Sequence, residues 1–303
     1  MPRGSWSLHG RTVLITGAAR GIGAASARSL VRRRAKVALV GLEPDELEKV
    51  AQELGPESAA AFEADVTDPD ALERAVDGAV ERFGGIDAVM ANAGIAAPGP
   101  VRAIDPAAWE RTIEINLVGV WRTVRACLPH VIERQGYVLV IASLAAAVHG
   151  AGMSAYSASK AGAEAFANSL RQEMAHLGVD VGVGYFSWIA TEMVAGADRH
   201  PALGGARSEL PGPLGKTYAV SEAGDAVARG MESRRRWVVV PPWARALLVL
   251  RGLLPPLLDL GARARTPDWE NRFLEDVERR GADASAPVGA GGEAARESAV
   301  NRS

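Results

Sequence analysis

Short, almost continuously apolar runs recur along this chain and alternate with longer segments of helical character. The first run, residues 12–16, reads Thr-Val-Leu-Ile-Thr and stops at a glycine-rich turn. Strands that are buried on both faces of a parallel sheet have this composition. Similar runs lie at residues 36–40, 86–90, 137–141, 179–185 and 237–240. The chain is therefore predicted to build a sheet of buried strands.

Five segments between these runs have the character of helices. They are residues 22–34, 44–54, 68–83, 107–133 and 155–176. Strands and helices that alternate through short turns imply right-handed βαβ crossovers. We therefore predict the α/β class: a single doubly wound, Rossmann-like domain with a parallel sheet flanked by helices.

Composition excludes several classes of function. The formal net charge is −2, whereas a dedicated nucleic-acid binder has a strongly basic surface. The single cysteine, Cys127, excludes an intramolecular disulfide framework and fits a reducing compartment. No His/Cys cluster has metal-ligand spacing, so no metal site is predicted. We see neither a secretory signal nor an uncharged run that could span a membrane, and we expect a cytoplasmic protein.

The character of the sequence changes after residue 240. Residues 243–260 are apolar, with Arg245, Arg251 and Asp259 as their only charges. A Pro-Pro pair at 255–256 makes one straight helix unfavourable there.

We expect residues 241–280 to form a C-terminal extension, apolar and then charged, that packs on the body of the protein or on a partner subunit. Peripheral contact with a membrane through residues 243–260 is the alternative. Residues 281–303 are rich in Ala, Gly, Ser and charge, with little to bury, and are predicted to be disordered.

The turn after the first apolar run is suited to a phosphate group. Residues 16–23 read Thr-Gly-Ala-Ala-Arg-Gly-Ile-Gly and open the first predicted helix. Glycines permit a tight turn and let the backbone approach a pyrophosphate at the positive end of the helix. The spacing differs from the Gly-x-Gly-x-x-Gly of larger dehydrogenases, and flavin or S-adenosylmethionine sites share such a context. The loop alone thus leaves the cofactor open.

Tyr156 and Lys160 lie four residues apart in a predicted helix, so their side chains share one face. A lysine held near a tyrosine hydroxyl favours the phenolate, whose ordinary pKa of about 10 is too high for a base at neutral pH. The pair can therefore act as a proton-transfer device, although a solvated helix face has the same spacing.

Five motifs in the same order resemble the short-chain dehydrogenase/reductase family. They are the glycine loop, Asn92-Ala93-Gly94 after the run at 86–90, Asn116, Ser143 after the run at 137–141, and Tyr156-x-x-x-Lys160. The resemblance covers residues 8–240 and implies an NAD(P)-dependent oxidoreductase that interconverts a secondary alcohol and a ketone.

The resemblance also implies a role for each catalytic residue. Tyr156 would be the general acid/base, and Lys160 would lower the pKa of Tyr156 and hydrogen-bond the nicotinamide ribose. Ser143 would steady the substrate oxygen, while Asn116 would hold a water that links Lys160 to solvent.

The cofactor contacts implied by the resemblance follow the carboxyl ends of the strands. They involve Gly17, Arg20, Gly21, Ile22, Gly23, Asp65, Val66, Asn92, Ala93, Gly94, Tyr156, Lys160, Ile189 and Thr191. Asp65 and Val66 would contact the adenine, and Ile189 and Thr191 the nicotinamide carboxamide.

One departure from the family pattern concerns the loop after the run at 179–185. Phe186 and Ser187 stand where the family commonly has Pro-Gly. The turn must therefore be shaped differently, and Trp188 beside it is expected to line the nicotinamide or substrate pocket.

A second departure bears on the choice of cofactor. Gly41 stands where an aspartate would select NAD, and Leu42 and Glu43 follow where an NADP enzyme often has an arginine. A 2′-phosphate beside Glu43 would meet like-charge repulsion, with Arg20 alone to offset it. We therefore expect NAD, with NADP as the alternative.

Substrate specificity is expected in a largely apolar lid over residues 191–217, opposite a wall at 95–101. These walls suggest a bulky hydrophobic alcohol or ketone, such as a terpenoid, steroid or fatty-acyl derivative. The resemblance further implies a homo-oligomer that forms through the helices at 107–133 and 155–176. A non-catalytic dinucleotide-binding scaffold on the same fold is the alternative from another class.

Overall fold

The computed structural model describes residues 6–205, 207–210 and 212–300. Seven parallel strands form one sheet in the order β3-β2-β1-β4-β5-β6-β7. Their bounds are β1 Thr12–Thr16, β2 Lys36–Gly41, β3 Ala59–Glu63, β4 Ala88–Ala91, β5 Tyr137–Ile141, β6 Asp180–Phe186 and β7 Trp237–Val240. The strand order reverses between β1 and β4, so a crevice opens at the carboxyl ends of these two strands. The predicted doubly wound α/β fold is confirmed.

Helices cover both faces of the sheet. They are α1 Gly21–Val31, α2 Pro44–Leu54, α3 Pro69–Phe83, α4 Pro106–Ile113, α5 Gly119–Glu133, α6 Ser154–Met174, α7 Glu192–Arg199, α8 Val220–Glu232, α9 Ala244–Leu250, α10 Leu254–Arg280 and α11 Ala290–Val300. Leu14 of β1 faces the layer that packs on α3, α5 and α6, while Val13 and Ile15 face the layer on α1, α2 and α8. The two-residue period of a strand thus divides one apolar run between two cores.

Strand β3 is the element that the apolar runs did not predict. Ala59–Glu63 reads Ala-Ala-Ala-Phe-Glu, and alanine is depleted in strands. It lies at the edge of the sheet, and among the described residues it pairs, in parallel, with β2 alone. Its pairing comes from the tertiary arrangement more than from its own composition.

The helix predicted over residues 107–133 is interrupted. A π-helical turn, Glu114–Val118, separates α4 from α5 and carries the fully buried Asn116. Wide turns of this kind are frequent at functional sites, where they redirect a side chain.

The extension after β7 consists of helices with a break between them. Helix α9 ends at Leu250, the turn Arg251–Leu253 follows, and α10 then begins with Pro255 and Pro256 in its first turn. Proline is tolerated there because the first N–H groups of a helix have no partner within it. Across the described residues, no helix has both the length and the apolar character needed to cross a bilayer.

The prediction of disorder for residues 281–303 is wrong for residues 281–300. Gly281–Ser285 forms a 3₁₀ turn, and α11 follows with Ala295 only 3% exposed. Small side chains let this segment pack by backbone approach: a Cβ on Gly196 would lie 2.7 Å from the amide nitrogen of Gly289. The prediction of disorder rested on the small number of apolar side chains available for burial, and such a count does not detect close packing of backbone. Residues 301–303 lie outside the described part of the chain.

Candidate active site

The glycine loop connects the end of β1 to the start of α1. Gly17 and Gly21 have φ values of +64° and +54°, which L side chains rarely adopt. A Cβ on Gly17 would lie 2.9 Å from the Cα of Ala93, and a Cβ on Gly23 would lie 2.2 Å from the carbonyl oxygen of Gly17. The loop is therefore a cradle of bare backbone that fits a dinucleotide phosphate at a helix N-terminus.

Asn92 holds this cradle against the end of β4. Its Nδ2 donates hydrogen bonds to the carbonyl oxygens of Thr16 (2.9 Å) and Gly17 (3.1 Å). The Thr16 Oγ1 in turn accepts from the Asn92 backbone N–H at 3.1 Å. Asn92 thus joins the two strands that flank the crevice.

Arg20 in the loop is held by two carboxylates. Its guanidinium donates to both oxygens of Glu43, beyond the end of β2, and to Glu192 Oε2 at 2.6 Å. Two carboxylates therefore surround the single positive charge of Arg20.

Asp65 also lines the cleft, after β3, the strand that pairs with β2. Its Oδ1 accepts from the backbone and hydroxyl of Thr67, both at 2.8 Å. Its Oδ2 accepts from Arg111 Nη2 at 3.1 Å and from Ser298 Oγ at 2.8 Å. Arg111 and Ser298 were not predicted as site residues, and nothing in their local sequence marks them.

Tyr156, Lys160 and Ser143 line the same cleft. Helix α6 places Tyr156 and Lys160 one turn apart, and Lys160 Nζ lies 5.7 Å from the centroid of the tyrosine ring. Lys160 is 4% exposed, and its Nζ donates to the carbonyl oxygen of Ile141 at 3.0 Å. Ser143 Oγ accepts from the Ala145 N–H at 3.2 Å, which fixes the serine at the end of β5.

Burial governs the ionisation of this pair. It raises the pKa of Tyr156 above the ordinary value, and a hydrogen bond with Ser143 offsets part of the rise. Burial also lowers the pKa of Lys160 to about 8. In this geometry the hydrogen bond with Ser143 favours the phenolate of Tyr156, and the role expected for Lys160 stays a prediction.

Asn116 supports the wall of the cleft from behind. Its Nδ2 donates to the Ile95 carbonyl at 2.9 Å and to Ser159 Oγ at 3.1 Å, and its Oδ1 accepts from the Ile95 N–H at 2.8 Å. Both amide hydrogens are used within the protein. The side chain therefore braces the Ile95 wall against α6, and the water expected at Asn116 stays a prediction.

Most of the predicted site residues meet in one cleft. Its lining includes Gly17, Arg20, Gly21, Ile22, Asp65, Val66, Asn92, Ala93, Gly94, Ser143, Tyr156, Lys160, Ile189 and Thr191. Of the predicted site residues, all within the described chain, Gly23, Asn116 and Trp188 are absent from that lining. The place expected for Trp188 is taken by Phe186 and Ser187, while the Trp188 carbonyl accepts from the Tyr218 N–H at 2.8 Å.

Helix α10 braces the loops on the substrate side. A Cβ on Gly152, just before α6, would lie 2.3 Å from the Trp269 ring, and a Cβ on Gly99 would lie 3.0 Å from Phe273. The ring of His200, after α7, stacks on Phe273 with centroids 6.1 Å apart. Trp269 therefore contacts the loop before Tyr156, while Phe273 contacts the predicted wall at residues 95–101 and the predicted lid at residues 191–217.

Comparison with known proteins agrees with this geometry. The sequence pattern of the family described as short chain dehydrogenase matches residues 11–202. The cis-4-hydroxycyclohexanecarboxylate dehydrogenase of Sinomonas cyclohexanicum is 36% identical over 222 residues, which are 72% of this chain and 88% of that protein. The 11-beta-hydroxysteroid dehydrogenase 1A of Arabidopsis thaliana is 31% identical over 270 residues, 86% of this chain and 76% of that protein.

A solved structure extends the likeness to the fold. The 3-ketoacyl-(acyl-carrier-protein) reductase from Brucella melitensis, in complex with NADH, superposes with a TM-score of 0.68 at 25% identity and covers 77% of this chain and 98% of its own. The family pattern spans well over half of the chain, from β1 through the Tyr156–Lys160 pair. The chain therefore belongs to the short-chain dehydrogenase family.

Proposed function

We propose that this protein is an NAD-dependent oxidoreductase that interconverts a secondary alcohol and a ketone on a bulky hydrophobic substrate. The observation that carries the proposal is that Ser143, Tyr156 and Lys160 line the same cleft as the Gly17 cradle. A proton donor and an oxygen-binding hydroxyl beside a dinucleotide site are the parts that carbonyl reduction requires.

The residues present fit a nicotinamide dinucleotide. Gly17 and Gly21 would hold its phosphates, Asp65 and Val66 its adenine, and Thr191 the carboxamide. When bound, that group would supply the hydride donor or acceptor.

The protein's own part is to move one proton and to hold the reacting oxygen. Tyr156 takes the hydroxyl proton in oxidation and returns it in reduction, and Ser143 donates a hydrogen bond to the substrate oxygen as charge develops on it. The Lys160 ammonium, held at the Ile141 carbonyl, adds positive charge to the site.

The two pKa shifts predict a pH profile. Because burial raises the pKa of Tyr156, its phenolate is scarce at neutral pH, and kcat/KM for alcohol oxidation should rise about tenfold per pH unit from about pH 6 to about pH 8. The pKa of Lys160 is about 8, so its proton is present below that pH and is lost above it. Ketone reduction should therefore be flat at neutral pH and decline above about pH 8. Rates measured in both directions test this, and oxidation that slows as pH rises would contradict it.

Cofactor choice should depend on Glu43. The wild-type protein should prefer NAD, because Glu43 and Glu192 already hold Arg20. Glu43→Gln removes one carboxylate and its repulsion, so kcat/KM for NADP relative to NAD should rise about tenfold, the effect of about 1.4 kcal/mol. Glu48→Gln, exposed on α2, is the matched control. A tenfold wild-type preference for NADP would refute the proposed NAD dependence.

The substrate class follows from the apolar walls of the cleft. Ile95, Phe186, Met193, Val194 and Val288 line the same cavity as Tyr156, and apolar walls with few polar groups favour hydrophobic ligands. The names of two relatives, a hydroxycyclohexanecarboxylate dehydrogenase and a hydroxysteroid dehydrogenase, support a cyclic secondary alcohol. A panel of hydroxysteroids, terpenoid alcohols, cis-4-hydroxycyclohexanecarboxylate and polyols, each with NAD, and of the corresponding ketones, each with NADH, tests this. Turnover of polyols alone would overturn the hydrophobic class.

The extension offers a surface contact. Val249 and Leu253 are 68% and 67% exposed, and Leu250 between them is also exposed. We propose that a partner subunit of the same kind covers these side chains, with a membrane surface as the alternative occupant. Sedimentation of the protein, with and without anionic vesicles, distinguishes a partner subunit from a membrane surface. A monomer that does not sediment with the vesicles would exclude both.

A further inference from the structure

The C-terminal strap, defined as residues 286–298, crosses the mouth of the cofactor cleft. At the substrate end, the Val288 N–H donates to the Ala96 carbonyl at 2.9 Å. The backbone of Gly289 packs against Gly196 of α7 so closely that a Cβ at position 196 would lie 2.7 Å from the Gly289 nitrogen. The cavity is lined from the strap by Val288, Gly291, Gly292, Ala294 and Ala295.

At the other end, the strap reaches the adenine subsite. Ser298 Oγ donates to Asp65 Oδ2 at 2.8 Å, the same atom that accepts from Arg111. Ala295 is 3% exposed and belongs to the hydrophobic layer that contains Val66 and Ile115. The strap therefore contacts the aspartate that would bind adenine and packs in the layer that would flank the base.

The space that remains is small. The cavity beneath the strap has a volume of about 240 Å³, whereas pockets for drug-sized ligands are about 300–1,000 Å³. The strap occupies the adenine end of this cavity, where Ser298 Oγ donates to Asp65 and Ala295 belongs to the same hydrophobic layer as Val66.

We propose that the C-terminal strap is an intramolecular ligand of the adenine subsite, which the dinucleotide displaces when it binds. The inference rests on the proposed dinucleotide-dependent function and adds that the strap sets the affinity for the cofactor. Hydrogen bonds at Val288, Ala295 and Ser298 help to hold the strap, and each has a modest net stability. A competing state of this kind lowers the apparent affinity by the fraction of molecules in which it is docked.

Hydrogen exchange on the full-length protein, with and without saturating NADH, tests the displacement. We expect amides of α11 to exchange about tenfold faster with NADH, since a strap docked in about nine tenths of the molecules is released. Amides of the glycine loop should exchange more slowly. Slower or unchanged exchange in α11, with a protected glycine loop, would overturn the inference. An unprotected glycine loop would reject the proposed function and the inference together.

A pair of variants tests the effect on affinity. Ala295→Gln places a bulky polar side chain in a buried position and should dislodge the strap, which lowers the Kd for NADH about tenfold. Glu297→Gln changes an exposed residue of the same helix and should leave the Kd unchanged. A Kd for Ala295→Gln equal to or above that of Glu297→Gln would contradict competition. Both variants keep the whole chain, and circular dichroism reports whether each remains folded.

Discussion

Replacing Tyr156 with phenylalanine is expected to lower kcat by about 10²–10⁴-fold while the affinity for NADH stays unchanged. In the proposed mechanism the phenol is the proton donor and acceptor, and removal of a positioned general acid/base has an effect of this size. The ring remains, so the packing of α6 and the position of Lys160 should be preserved. A loss in kcat without a loss in cofactor binding identifies a group that acts in the transition state.

Tyr137→Phe is the matched control for that variant. Tyr137 is also buried, but its hydroxyl donates to the Arg235 carbonyl at 2.6 Å, away from the cleft. The control should cost about 1 kcal/mol of stability and leave kcat unchanged. Equal rates for wild type and Tyr156→Phe would remove Tyr156 from the mechanism. A wild-type protein that binds NADH and turns over no alcohol would favour the non-catalytic scaffold.

Gly23→Ala is expected to weaken NADH binding about 100-fold and to lower the Tm. The new Cβ would lie 2.2 Å from the Gly17 carbonyl oxygen and 3.0 Å from the Ala18 Cα. These contacts are backbone atoms that cannot rotate away, so the whole cradle must shift. Overpacking of this kind costs about 1–3 kcal/mol, and about 2.8 kcal/mol corresponds to 100-fold in Kd.

Gly252→Ala provides the comparison, because a Cβ at that position would meet no atom within 4 Å. It should change neither the Tm nor the Kd for NADH. If Gly23→Ala binds NADH as the wild type does, the loop does not hold the phosphates.

The predictable parts of the fold are those in which the local sequence pattern determines the secondary structure. β1 and β5 coincide with their apolar runs because a strand buried on both faces needs apolar side chains throughout. β3 was missed because its alanines carry little preference of their own, and its partner β2 supplies the pairing. The π-helical turn at Asn116 was hidden because helical periodicity continues on both sides of it.

The candidate site likewise contains residues that local spacing predicts and contacts between distant residues that it does not. Spacing placed Tyr156 and Lys160 together, since helical geometry fixes residues four apart. The contact of Ser298 with Asp65 joins residues that are 233 positions apart, and no local pattern signals it. The strap was not predicted for a related reason. Glycine and alanine pack by allowing close backbone approach, but a segment rich in them has few apolar side chains to bury, and such a composition predicts disorder.

The proposal that this protein transfers hydride directly to a carbonyl carbon is tested most directly by isotope tracing. The wild-type protein is given NADH with deuterium at both C4 positions and a ketone of the panel, and the alcohol product is analysed by mass spectrometry. Direct transfer beside Tyr156 predicts one deuterium on the carbinol carbon and a hydroxyl proton that comes from solvent. An alcohol without deuterium, or no alcohol from any ketone of the panel while NADH binds, would contradict the account.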